Sequence, residues 1–284
     1  MADIFKTIHD LPPVDTQFVA GRWHHDRISP TGFLMEARVL AKSLVSQPNR
    51  DVTAFMIIGR ARSGTTLLTR LLNSHSQILC DGEMLKCNVV DPVGLAVRLA
   101  RKSTAQAYGF KFLSYQMVQS HRMRDPRRFL GRLQDKGFRF IHLQRETLAQ
   151  TLSLAVAQSS RRYHSDRHGG PVVAGDAMIH LDPAIFVQRI AWNEALLTYE
   201  KASLKDIPHL SLQYESDLGE TAAQAATTAR LFDWLDVPRE EAGSNLKKML
   251  PTAPENIVEN WENVVAALNA AGYGHLVASA TKAN

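Results

Sequence analysis

The most constraining feature of this sequence is an apolar segment that runs directly into a glycine-containing loop and then into a helical pattern. Residues 53–58 (TAFMII) are short and apolar, which predicts a buried strand. From Gly64 to Asn73 the leucines recur with helical spacing, which predicts a helix with Leu67, Leu68, Leu71 and Leu72 on its inner face. A strand, a tight loop and a helix in direct succession predict a parallel sheet covered by helices.

The rest of the chain continues this alternation. Further strands are predicted at 77–80, 109–113, 138–143 and 209–213, and further helices at 126–136, 146–158, 183–202 and 222–235. Asp125 and Asp182 each precede a proline, the pattern of a capped helix start. We expect a single α/β domain over residues 51–284, with a P-loop-like parallel sheet flanked by helices. Residues 1–50 are expected to form an added N-terminal helical segment with a helix at 33–45.

Composition excludes several classes of protein. Hydrophobic residues make up 45% and charged residues 21% of the chain, so wholesale disorder is not expected. No apolar run approaches the length of a membrane span, and residues 1–13 lack the apolar centre of a signal peptide. We therefore expect a cytoplasmic protein. The two cysteines, Cys80 and Cys87, support neither a disulfide framework nor a zinc site.

A formal net charge of +5 suggests an anionic partner without specifying which one. A basic nucleic-acid-binding protein would use clustered cations interleaved with aromatic residues, whereas aromatic residues are only 7% here and the charges are dispersed. We therefore expect no nucleic-acid partner, although that class stays open as an alternative. The sequence does not indicate an oligomeric state.

The loop Gly59-Arg-Ala-Arg-Ser-Gly-Thr-Thr66 has the chemistry of an anion site. Successive backbone N–H groups and a helix N-terminus form a concave donor surface, and glycine lets the backbone approach an anion closely. The loop fits the ATP-binding pattern G-x-x-x-x-G-K-[ST] except that Thr65 replaces the lysine. The strand at 138–143 also ends in Gln144 and Arg145 without an aspartate for Mg²⁺. A divergent P-loop kinase is therefore kept as the alternative interpretation and is not the preferred one.

This loop, extended through Leu71-Leu-Asn-Ser-His-Ser76, resembles the 5′-phosphosulfate loop of the PAPS-dependent sulfotransferase superfamily (PAPS is 3′-phosphoadenosine-5′-phosphosulfate). It is most similar to that of bacterial carbohydrate sulfotransferases of the nodulation-factor and trehalose type. Arg145 and Ser153, at a strand end and eight residues later, match the family's 3′-phosphate pair. Looser similarities are Gly109-Phe-Lys-Phe-Leu113, Tyr214-Glu-Ser-Asp-Leu218 and Glu259-Asn-Trp261. Two features of the family's cytosolic eukaryotic members are missing: a C-terminal basic glycine-rich segment, and a catalytic histidine after the central strand, where Ser114, Tyr115 and Gln116 stand instead.

The resemblance implies transfer of a sulfuryl group from PAPS, with PAP as product and without a metal. The acceptor group would be a hydroxyl, less readily an amine, of a saccharide or glycolipid. The implied donor-binding residues are Arg60, Arg62, Ser63, Gly64, Thr65, Thr66, Arg145 and Ser153. Arg62 would in addition stabilise charge on the reacting group.

Glu83 is the leading candidate for the general base that takes the acceptor's proton, because its segment follows a strand next to the loop. Lys111, on the predicted central strand, is the second candidate, either as base or as a further cation. A solvated loop glutamate is the plainer interpretation of Glu83. The segment 164–176 is a candidate lid, and a basic cluster is a candidate contact for an anionic acceptor: Arg161, Arg162, His164 and Arg167.

Overall fold

The computed structural model describes residues 3–11, 30–45, 48–159, 178–243 and 253–282. Its centre is one parallel five-stranded sheet with the order β2-β3-β1-β4-β5. The strands are β1 (Thr53–Gly59), β2 (Ile78–Asp81), β3 (Ala107–Leu113), β4 (Arg139–Gln144) and β5 (His209–Gln213). The expected α/β fold class, a parallel sheet flanked by helices, is confirmed.

Ten α-helices lie in the part of the chain that the structure describes. They are α1 (Ile4–Thr7), α2 (Pro30–Val45), α3 (Thr65–Asn73), α4 (Pro92–Lys102), α5 (Pro126–Gln134), α6 (Thr147–Ser159), α7 (Pro183–Leu204), α8 (Thr221–Trp234), α9 (Trp261–Ala270) and α10 (Gly274–Lys282). Short 3₁₀ segments lie at Ile8–Asp10 and Pro254–Asn256. Single π-helical turns follow β3 and β5, at Gln116–Ser120 and Tyr214–Leu218.

The predicted helix starts at Asp125 and Asp182 are confirmed. Each aspartate accepts hydrogen bonds from backbone N–H groups of the first turn that follows it. Helix α4 was not predicted, since Gly94 and the polar Arg98 interrupt its apolar pattern. Its start is nevertheless capped, because the side chain of Asp91 accepts from Gly94 N at 2.9 Å.

The hydrophobic core consists of one layer on each face of the sheet. In β1, Met56 and Ile58 pack into the layer that includes residues of α4, α5 and α7, while Phe55 and Ile57 pack into the layer of α3 and α8. Both faces of this strand are therefore buried, which explains its uninterrupted apolar sequence. Leu68 of α3 is fully buried in the second layer.

The described N-terminal helices contribute to the same core. Ile8 and Val39 are buried in the layer of α4, and the carboxylate of Glu36 accepts from the N–H groups of Val90 and Asp91 at 2.9 and 2.8 Å. The expected division at residue 50 stays a prediction. Across the described residues, no helix is long and apolar enough to cross a membrane.

The topology brings all five strand ends to one edge of the sheet. Parallel strands end on the same side, which is where ligands bind in open α/β sheets. Each strand is followed there by a residue or loop of interest: β1 by the 59–66 loop, β2 by Glu83, β3 by Tyr115, β4 by Arg145 and β5 by Tyr214. This edge is the candidate site.

Candidate active site

The 59–66 loop closes tightly before α3 begins at Thr65. Ser63 N and Oγ both donate to the carbonyl of Arg60, at 3.3 and 2.7 Å. The backbone has a positive φ at Arg62 (67°) and at Gly64 (95°). A non-glycine residue in this conformation is strained, and such strain is concentrated at functional loops. The unsatisfied N–H groups of the first turn of α3 complete a surface suited to an anion.

Gly64 is required by packing as well as by its backbone conformation. A Cβ atom at this position would lie 2.4 Å from the ring of Tyr214, which stacks directly against the loop. Tyr214 begins the π-helical turn after β5, so the loop after the first strand is supported by the end of the last one.

Replacing Gly64 with alanine is expected to distort this loop. The Cβ atom would push Tyr214 aside, and we expect the affinity for PAP to fall about tenfold or more. Gly137→Ala is a matched control, since Gly137 has a similar φ of 84° and its Cβ would meet no atom within 4 Å. The control should lose about 1 kcal/mol of stability from strain alone and keep its PAP affinity. Calorimetric titration and thermal melting test both variants, and equal affinity in the two would contradict a role for the Gly64–Tyr214 contact.

Arg60 lies behind the loop instead of in its concavity. Its side chain is fully buried, and it donates to Thr147 Oγ1 at 2.8 Å, to Asn193 O at 3.3 Å and to the carbonyl of Arg145. Burial lowers the pKa of its guanidinium group, although nearby carboxylates such as Glu200 oppose this shift. This geometry does not support the expected contact between the Arg60 side chain and a donor; it supports a role in joining the loop to α6 and α7.

Arg62, Arg145 and Ser153 come together at the other side of the loop. Arg62 Nε donates to Ser153 Oγ at 3.3 Å, and Arg145 Nη1 donates to the carbonyl of Arg62 at 2.9 Å. Ser153 lies two turns into α6 and is almost fully buried. The structure therefore brings the predicted 5′-phosphosulfate loop into direct contact with the predicted 3′-phosphate pair, Arg145 and Ser153.

The guanidinium group of Arg145 is held by two side chains that the sequence analysis did not assign. Its Cζ lies 4.4 Å from the ring centroid of Tyr214, and its Nε lies 3.7 Å from Glu215 Oε1. Burial lowers the pKa of Arg145, and Nε has no hydrogen-bond partner within the described structure. A buried cation with an unused donor is suited to bind an anion. In the sequence, Tyr214 and Glu215 were noted only as a loose similarity to the sulfotransferase superfamily. Their contact with Arg145 is visible only in the tertiary structure.

Glu83 and Lys111 form an ion pair on the opposite side of the loop. Lys111 Nζ lies 3.3 Å from Glu83 Oε1 and donates to Thr66 Oγ1 at 3.2 Å. The two candidates for the base are thus linked to each other and to the loop through one hydroxyl. Glu83 keeps about a quarter of its side chain exposed, so an acceptor can reach it.

Gln116 and Tyr115 hold the other carboxylate oxygen of Glu83. Gln116 Nε2 donates to Glu83 Oε2 at 2.6 Å, and the hydroxyl of Tyr115 lies 3.3 Å from the same oxygen. Gln116 itself is fully buried and accepts from Leu113 N, which fixes its amide. Burial raises the pKa of Tyr115, which keeps its hydroxyl a donor. No sequence signal indicated Gln116, because its role depends on the π-helical turn after β3.

Two histidines of the described residues lie outside this site. His142 pairs with Glu200 at 2.9 Å inside the core, and His121 contacts the carbonyl of Leu85. The predicted lid at 164–176 and the basic cluster around Arg161 lie outside the described residues. Where the structure is described, no group of three or more His, Cys, Asp or Glu side chains is arranged to hold a metal ion.

The model of the sulfotransferase family matches residues 54–128 of this chain. This chain is therefore similar to the sulfotransferase family over about a quarter of its length. The matched segment includes most of β1, the 59–66 loop, Glu83 and Lys111, and it ends before Arg145 and Ser153. The resemblance inferred from the loop motif is confirmed, and the match supports a sulfotransferase enzyme. The roles of its individual residues stay predictions.

Two solved structures are similar to this chain. A sulfotransferase from Alicyclobacillus acidocaldarius is 13% identical, with 80% of this chain and 96% of that chain covered and a TM-score of 0.45. Mouse sulfotransferase SULT7A1 complexed with PAP is 12% identical, with 86% and 89% covered and a TM-score of 0.45. No curated protein sequence matches significantly. The resemblance to sulfotransferases rests on the family match and not on these distant structural similarities.

Proposed function

We propose that this sulfotransferase uses PAPS as donor and transfers the sulfuryl group to a hydroxyl of an acceptor by in-line displacement. The observation that carries the proposal is the position of the 59–66 loop between two charged clusters. Arg145, Arg62 and Ser153 lie on one side of it, and Lys111 with Glu83 lies on the other. The cationic cluster suits a donor with two anionic ends. The cluster that contains Glu83 suits an acceptor that has to lose a proton.

The donor side has the chemistry of a site for two phosphate groups. The loop N–H groups and the hydroxyl of Thr66 would hold the 5′ end of the donor. Thr65, whose side chain is buried, would contribute its backbone N–H group instead of its hydroxyl. Ser63, whose N–H and hydroxyl both donate to the carbonyl of Arg60, would hold the loop in its closed form. Arg145, with its unused Nε donor, and Ser153 would hold the 3′-phosphate. Glu215 would orient Arg145 and compensate part of its charge while the site is empty.

The reaction moves one sulfuryl group between two oxygens. The acceptor oxygen forms a bond to sulfur while the bond between sulfur and the bridging oxygen of PAPS breaks, and PAP leaves with the electron pair. The acceptor proton passes to a general base. Arg62, within the loop, would stabilise the charge that develops on the bridging oxygen.

The contacts around Glu83 favour it over Lys111 as the base. One oxygen of Glu83 faces Lys111, and the other is oriented by Gln116, so the carboxylate is held in one position. Lys111 contacts both Thr66 and Glu83, which suits a cation that stabilises the loop-bound sulfuryl group. A solvated loop glutamate would not make three side-chain contacts of this kind, with Lys111, Tyr115 and Gln116.

Mass spectrometry of acceptor pools tests the proposed function. Pools of saccharides, glycolipids and small amines are incubated with PAPS, and products are sought that gain the mass of one sulfuryl group. Hydroxyl-containing saccharides or glycolipids are the expected acceptors. Formation of phosphorylated products from ATP, with none from PAPS, would favour the kinase alternative.

Donor binding is expected to need no divalent metal. The loop has Thr65 in place of the lysine that contacts ATP phosphates, and β4 ends in Gln144 instead of an aspartate that holds Mg²⁺. PAP titrated by calorimetry should bind equally in EDTA and in Mg²⁺. ATP in Mg²⁺ is the control and should bind more weakly than PAP. Loss of PAP binding in EDTA would contradict this prediction.

A further inference from the structure

The guanidinium group of Arg145 combines committed contacts with one unused donor. Nη1 donates to the carbonyl of Arg62 at 2.9 Å, and Cζ lies 4.4 Å from the ring centroid of Tyr214. Nε is buried and has no hydrogen-bond partner in the described structure. A guanidinium group binds a phosphate best through two adjacent N–H groups. Because Nη1 is already used, an incoming phosphate would bind at the edge that includes Nε.

Glu215 lies beside this edge without a hydrogen bond to it. Its Oε1 is 3.7 Å from Arg145 Nε, which is longer than a hydrogen bond. Two other groups hold the carboxylate in this position: Gln213 Nε2 donates to Oε2 at 2.6 Å, and Glu146 N donates to Oε1 at 3.3 Å. The side chains of Arg145 and Glu215 are only 11% and 28% exposed, so solvent screens their charges only in part. The carboxylate therefore stays next to the anion-binding edge and leaves its donor unused.

A second carboxylate adds negative charge at the same place. Glu146 follows Arg145 in the chain. Burial and the charge of Glu215 raise the pKa of the Glu146 carboxyl group, whereas the charge of Arg145 lowers it. Two carboxylates that interact in this way repel each other, and a phosphate bound to Arg145 would be a third negative group beside them. This negative charge should weaken the binding of a phosphate.

We propose that Glu215 limits the affinity for donor and product by competing with the 3′-phosphate for the charge of Arg145. This inference rests on the proposed function, because it adds a regulating residue to the same 3′-phosphate site. While the site is empty, Glu215 compensates the buried cation; when the nucleotide binds, carboxylate and phosphate share it. PAPS and PAP both carry the 3′-phosphate, so Glu215 weakens the binding of both. Its consequence for the reaction is faster release of PAP.

Removing the charge of Glu215 distinguishes competition from support. A residue that only orients Arg145 would weaken phosphate binding when it is removed, whereas a competing carboxylate would strengthen it. Glu215→Gln keeps the size of the side chain and an oxygen that can accept from Glu146 N, but it has no negative charge. We expect the affinity of this variant for PAP to rise about tenfold, and PAP to inhibit transfer at about tenfold lower concentration.

Calorimetric titration with two nucleotides tests the inference. PAP and adenosine 5′-monophosphate differ only in the 3′-phosphate, so Glu215→Gln should tighten the binding of PAP and leave that of adenosine 5′-monophosphate nearly unchanged. Glu220→Gln is the matched control, because Glu220 is an exposed residue shortly after the same π-helical turn. This control removes the same charge and should change neither affinity. Glu215→Asp keeps the charge and should not tighten the binding of PAP.

The possible outcomes separate this inference from the proposed function. Weaker or unchanged PAP binding in Glu215→Gln, or equal tightening of both nucleotides, would overturn the inference and leave the proposed function standing. Thermal melting checks that each variant folds, and Glu215→Ala, which also lacks the charge, should change PAP affinity in the same direction. Absence of PAP binding by the unmodified protein would instead contradict the proposed function.

Discussion

Glu83→Gln is expected to lower the turnover of this protein by roughly 10²–10⁴-fold, the usual effect of losing a general base. Glutamine has nearly the same size and can still contact Lys111 and Gln116, but it cannot take a proton. Donor affinity should hardly change, because Glu83 reaches the loop only through Lys111 and Thr66. Turnover is measured by calorimetry or product analysis, and donor affinity is measured by titration with PAP.

Lys111→Met provides the comparison that separates the two candidates for the base. If Glu83 is the base, Lys111→Met removes only a stabilising cation and should lower turnover less than Glu83→Gln does. If Lys111 is the base, the order of the two losses should be reversed. A Glu83→Gln protein with near-normal turnover would move the base role away from Glu83 and leave the resemblance to sulfotransferases intact.

Arg145→Ala is expected to weaken PAP binding by about 2–4 kcal/mol, since a charge-assisted and desolvated partner of the 3′-phosphate is lost. Ser153→Ala should cost about 1 kcal/mol, the value of one neutral hydrogen bond. Calorimetric titration with PAP measures both losses. Arg139→Ala is the matched control, because Arg139 lies at the opposite end of the same strand and contacts Asp236 and Trp234.

Adenosine 5′-phosphosulfate separates direct binding from support of the loop. This nucleotide lacks the 3′-phosphate, so any loss of its affinity in Arg145→Ala measures the hydrogen bond from Arg145 to the carbonyl of Arg62. We expect that loss to be much smaller than the loss for PAP. Equal losses for both nucleotides would show that Arg145 acts through the loop alone.

Most strands and helices could be predicted because their signals are local. The apolar run of β1, the leucine spacing of α3 and the aspartate caps at Asp125 and Asp182 depend on residues within a few positions of each other. Helix α4 and the π-helical turns after β3 and β5 were missed. In α4 a glycine weakens the pattern, and a π-helical turn has no sequence period of its own.

The side chains of the site were predictable only where a motif contained them. Arg62, Arg145 and Ser153 belong to motifs, and the structure brings them together as the resemblance implies. Arg60 stands in the same motif but points into the core. Adjacent residues of a tight loop point in different directions, so position in a motif does not determine which side chain meets the ligand.

By itself the sequence determined the strand, loop and helix around residues 59–66, the alternation of strands and helices and the resemblance to sulfotransferases, because glycine positions and apolar periodicity act over short distances. Only the tertiary structure decided which distant groups complete the site. The sheet order β2-β3-β1-β4-β5 places Tyr214 against Gly64, and the turn after β3 places Gln116 against Glu83. Glu215 likewise meets Arg145 only because β5 lies beside β4. These contacts join residues far apart in the chain, and no local pattern specifies such pairings.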